Sequence, residues 1–181
     1  MSEAFVLERA AFCASHLERY RSVFAWPPTQ LRPFVNQRWQ GLLFPGSFLA
    51  DPIVYEALRS ASVANGDSEF VLTAIYGGNG FETSVLSHWP NTLVEFLEAR
   101  KTAQLDFTPA SELFGATTGK WGCCFFFEEY FQIGGEKEFI GTLCDALGGQ
   151  EVLRSNFYRF AAHGWPVDAG DRDVILRNIG W

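Results

Sequence analysis

Trp121–Phe131, WGCCFFFEEYF, is the stretch on which the fold turns. Read with a period of two, Trp121, Cys123, Phe125 and Phe127 point one way, and Cys124, Phe126 and Tyr130 the other. Both faces are apolar until Glu128. A strand with one wet face alternates apolar and polar residues, so this pattern predicts a central strand covered on both sides. Gly134-Gly135 then ends the strand, and Glu136–Leu147 reads as a helix with Phe139, Ile140, Leu143 and Leu147 inward. Two early acids suit its dipole, and Gly148-Gly149 closes it.

Outward from this core, Val6, Ala10, Cys13, Leu17, Tyr20 and Phe24 form one apolar stripe, predicting a helix over 3–24 that Pro27-Pro28 stops. Asp51 and Pro52 are the cap and first position of a second helix, with Val54, Ala57, Leu58 and Ala61 inward and Asn65-Gly66 at its end. Residues 69–76 and 81–88 read as strands joined through Gly77-Gly78-Asn79-Gly80, a hairpin turn that uses positive φ. Asn91 caps a third helix, and 108–120 is the longest candidate surface loop. Val152, Leu153, Phe157 and Phe160 mark one further helix, and 171–179 another. The expectation is a single α+β domain over 1–181: a mainly antiparallel sheet of three or more strands (about 69–76, 81–88 and 121–131) with five or six flanking helices. A mixed sheet is the runner-up, because the helix after Asn91 can return the chain parallel to an earlier strand.

Composition narrows the function classes. The 18 Phe, 6 Trp and 5 Tyr among 181 residues predict a bulky, rigid core. A net charge of −7 argues against nucleic acid as a partner. That charge is uneven: residues 1–50 sum to +2, residues 51–100 to −5, and residues 101–181 to −4. Cys13, Cys123, Cys124 and Cys144 form no CxxC pair, so neither a metal site nor a disulfide framework is expected, and all four thiols are read as reduced. The N-terminus lacks the basic-then-apolar pattern of a signal peptide, and no run reaches the ~20 apolar residues of a membrane helix. The expected location is the cytoplasm.

No catalytic motif stands out. Gly115–Trp121 (GATTGKW) falls one residue short of a P-loop and places Trp121 where a Mg²⁺-binding hydroxyl belongs. Glu128 and Glu129 are neighbours on a strand, so they face opposite ways and cannot form one acid–base pair. They stay weak catalytic candidates, together with His163 and Asp168, a loop pair of the kind a triad assembles from distant residues. No cofactor is implied. Among the acids of 51–100, Glu56, Asp67, Glu82, Glu95 and Glu98 are expected to face solvent and to form one negative patch. The leading expectation is therefore a non-catalytic domain whose acidic surface binds a basic protein, by class-level analogy with bacterial immunity or antitoxin proteins. The alternative is a small-molecule enzyme or ligand-binding protein with an aromatic-lined pocket.

Overall fold

A computed structural model describes residues 14–25, 28–46, 51–73, 92–102, 112–126 and 129–181. In chain order these form α1 (Leu17–Val23), β1 (Gln40–Pro45), α2 (Pro52–Ala64), β2 (Phe70–Thr73), α3 (Leu93–Thr102), β3 (Glu112–Gly115), β4 (Trp121–Phe126), β5 (Tyr130–Gly135), α4 (Lys137–Ala146), α5 (Gln150–Ala162) and α6 (Ala169–Ile179). The strands make one sheet in the order β1-β5-β4-β3-β2, with every pairing antiparallel. This is an α+β fold, and the mixed sheet is excluded among the described strands.

β4 takes the middle of the sheet, as its two apolar faces require. Trp121, Cys123 and Phe125 pack into one core with α2, α3 and α4, while Cys124 and Phe126 join Tyr130 in a second core with α1, α5 and α6. The predicted single strand over 121–131 is corrected. It breaks after Phe126, where Glu129 N donates to Phe126 O at 3.1 Å, and Tyr130 then returns opposite Phe126. Two adjacent acids in an apolar run mark a turn, because their charges need water at the tip. Gly134 and Gly135 are accordingly not the end of β4 but the last pairs of β5. Full two-sided burial also fails at Phe125, which is only half-buried, whereas Phe126 is buried.

Two strands arise where no strand, or only a loop, was expected. Gln40–Pro45 pairs with β5 along one edge, and Glu112–Gly115 lies inside the expected 108–120 loop. Of the described part of that loop, 116–120 is a turn, with Gly119 at positive φ. The 69–76 strand is present as β2 over its described part, at the other edge of the sheet. The 81–88 strand, its glycine turn and the 3–13 portion of the first helix lie outside the described residues.

The helices follow their caps. Asp51 Oδ1 accepts from Ile53 N (2.8 Å) and Val54 N (3.3 Å), and Pro52 sits at the first position of α2. Gly66, at positive φ, takes the chain out of α2. For α3 the hydroxyl of Thr92 caps Glu95 N at 3.2 Å. At the end of α4, Gly148 and Gly149 both take positive φ, and Gly149 N reaches back to Cys144 O at 2.8 Å.

One row of the sheet explains how the second helical layer sits so close. Gly41, Gly134 and Gly122 are register neighbours across β1, β5 and β4. On them lie Ile179, Phe34 and the Val23–Phe24 pair, each so near that an added Cβ would overlap it. The row is a bare strip of backbone against which Ile179, Phe34, Val23 and Phe24 pack directly.

Candidate functional site

Buried polar side chains are few enough to follow individually. Asp67, expected on the surface, is 2% exposed and is a structural clamp. Its Oδ1 accepts from Thr118 N at 2.8 Å, and its Oδ2 accepts from Thr118 Oγ1 at 3.0 Å and Trp121 Nε1 at 2.9 Å. Folding therefore turns the carboxylate inward, where it ties the α2–β2 corner to the β3–β4 turn. The former P-loop look-alike is that turn, and its donors are spent within the protein: Thr118 and Trp121 on Asp67, Ala116 N on Glu69 O and Gly119 N on Gly115 O.

A second polar set crosses the sheet under α1. Gln132, Cys124 and Glu112 are register partners on β5, β4 and β3, all buried on the same face. Gln132 Nε2 donates to Gln30 O at 2.9 Å. Burial pushes the Cys124 thiol well above its ordinary range, and the nearby Glu112 carboxylate pushes it further. Cys123, on the other face, is raised for the same two reasons. Neither thiol is a nucleophile in this environment, because the thiolate is the reactive form. Burial also raises the Tyr20 and Tyr130 phenols.

The catalytic candidates do not converge. His163 closes α5 with Nδ1 2.7 Å from its own helix's Arg159 O, and Asp168 opens α6 without capping it. Neither a hydrogen bond nor an ion pair joins them. Glu129 is exposed in the β4–β5 turn, and Glu128 lies outside the described residues. Among the described residues no group of three or more His, Cys, Asp or Glu is arranged to hold a metal. No described helix is long and apolar enough to cross a membrane.

The acids expected to share a patch divide. Glu56 is exposed on α2, and Glu95 and Glu98 are exposed on α3, which packs beside α2. Burial raises the Tyr55 phenol; Arg59 pulls it back, while the Glu56 and Glu95 carboxylates both raise it further. Glu56 is partly neutralised by a two-point pair with Arg59, at 2.6 and 3.1 Å, which holds its carboxyl below the ordinary value. Asp67 has left the set, and Glu82 lies outside the described residues. What the sequence missed is apolar: Val94 and Leu97 are exposed on α3 among those acids, at 66% and 38%. The weak amphipathicity of LVEFLEARKT is the signal that could have shown it; among its described side chains Phe96 is the one deeply buried.

A cleft of about 210 Å³ opens between the end of β1, the start of α2 and α5. Phe44 and Phe131 line it as a parallel stack with centroids 4.8 Å apart, beside Leu147 and Leu153. Asp51 and Asn156 are its exposed polar members. A smaller pocket of about 40 Å³ lies by Gln30, Gln132 and Asn178, with room for little more than water. Compared with protein-family models, with curated proteins and with solved structures, the chain matches none.

Proposed function

We propose that this is a non-catalytic, cytoplasmic protein-binding domain whose binding face is the α2–α3 side, and that its partner is basic. The kind of protein this describes is a bacterial immunity protein or antitoxin, by analogy of class. The observation that carries the reading is the outward side of α3. There Glu95 and Glu98 stand with exposed Val94 and Leu97, on a helix that packs beside α2 and its exposed Glu56. Apolar surface flanked by like charge suits a partner that brings cations around an apolar contact. The test is capture from the source cell on immobilised protein at low and high salt, comparing wild type with the Glu95→Lys/Glu98→Lys double variant. Basic proteins retained by wild type at low salt and lost by the variant would support it. An identical capture profile for the two would sink it.

A second reading, a small-molecule binding protein, draws on the cleft beside Phe44 and Phe131. At about 210 Å³ the cleft is smaller than the ~300–1,000 Å³ of most ligand sites. It suits a fragment-sized molecule, and among the described residues no titratable pair capable of catalysis lines it.

A further inference from the structure

We propose that the cleft between β1, α2 and α5 binds a small primary amine with an aromatic or branched apolar body, its body inward and its ammonium at the mouth. This site is separate from the α2–α3 face and stands without that reading. The volume admits such a body: a dry cavity of ~150 Å³ lined by apolar side chains takes up benzene, and this cleft offers about 210 Å³. Carbon makes up the larger part of its lining, from the stacked Phe44 and Phe131 rings and from Leu147 and Leu153.

The polar groups at the rim choose the head group. Asp51 Oδ1 is occupied by Ile53 N and Val54 N, whereas Oδ2 takes no hydrogen bond from the described residues. The Asn156 carboxamide is exposed and makes no hydrogen bond to the described residues, which leaves its oxygen for a donor. An ammonium with three donors matches a carboxylate oxygen and an amide oxygen. A carboxylate ligand is disfavoured at the same place, because the first backbone N–H groups of α2 are already turned onto Asp51 and would meet its charge. The order of the groups, carbon inside and oxygen outside, also distinguishes a free amine from a partner's lysine. A lysine entering head first would strand its ammonium among Phe and Leu side chains.

The test is amide chemical-shift titration of the intact protein with four probes: benzylamine, benzyl alcohol, phenylacetate and Nα-acetyl-lysine amide. Benzylamine is expected to shift the amides of Phe44, Asp51, Leu153 and Asn156 with a Kd of about 1 mM. Benzyl alcohol should bind roughly threefold or more weakly, and phenylacetate and the lysine amide should leave those amides in place. Asp51→Asn keeps a good helix cap while removing the charge. It should weaken benzylamine about threefold to fivefold and leave benzyl alcohol unchanged. The assignment is overturned if benzylamine moves none of these amides, if any other probe binds as tightly, or if Asp51→Asn does not alter the preference.

Discussion

Single residues in this protein are decided by what folding does to their surroundings. Asp67 reads in sequence as a turn acid, yet its three hydrogen bonds make it a core residue. Asp67→Ala should cost about 3 kcal/mol, since it leaves Thr118 N and Trp121 Nε1 buried without an acceptor. Urea unfolding measures this, and a loss under about 1 kcal/mol would mean that water replaces the carboxylate. Phe126→Ala is expected to cost about 3–5 kcal/mol, and Phe125→Ala distinctly less, because Phe126 is the more deeply buried of the two. His16 supplies a pH handle. Burial lowers its pKa, partly countered by Glu69, so the folded state prefers the neutral ring. Its contribution to stability is whole above the ordinary His value of ~6.5 and is lost as pH falls below it. A His16→Gln variant should flatten that part of the stability–pH curve; an unchanged slope would place the acid sensitivity elsewhere.

At the scale of elements, much was legible where local chemistry is strong. The Asp51-Pro52 start of α2, the Gly148-Gly149 exit from α4 and the face assignment of β4 all follow from capping, positive φ and the two-residue period. What sequence could not supply was tertiary. β1 and β3 are four to six residues long, and their periodicity is masked by Pro45, Gly41 and Gly115. Gly134-Gly135 read as a stop because a glycine in a strand more often marks an ending than a close approach. The candidate site was the least legible part, since the cleft joins residues near 44, 51, 131 and 153 that no spacing relates. The same logic separates two substitutions of one chemical type. Gly134→Ala should destabilise by about 1–3 kcal/mol, because Phe34 occupies the space of the new methyl group. Gly141→Ala, in the exposed middle of α4 with nothing near, should stabilise by about 0.5–1 kcal/mol. Equal thermal shifts for the two would refute the distinction.

Over the whole molecule, charge is sorted by layer. α2, α3 and α4, with Asp51 and Glu136 at their starts, carry seven acids against four bases. On the other side of the sheet, α1, residues 28–39 and α6 carry six arginines against Glu18, Asp168, Asp171 and Asp173. A net charge of −7 therefore understates the asymmetry that an approaching partner meets. If the α2–α3 side is the binding face, association with a basic partner should slow steeply with added salt. The Glu95→Lys/Glu98→Lys variant should then lower the on-rate more than it raises the off-rate. Stopped-flow or surface-binding kinetics separates the two. An effect confined to the off-rate would point to the apolar contact at Val94 and Leu97 instead.

The bare strip at Gly41, Gly134 and Gly122 has a consequence for solvent access. With no side chains of their own, these positions are covered by Ile179 from late in the chain and by Phe34 and the Val23–Phe24 pair from early in it. The amides in the middle of the sheet are thus shielded by a roof rather than by the sheet itself. Their hydrogen exchange should report the lifting of that roof, at a free energy below global unfolding. Amides on the far edge pair, β2 and β3, should exchange more slowly than their peripheral place suggests.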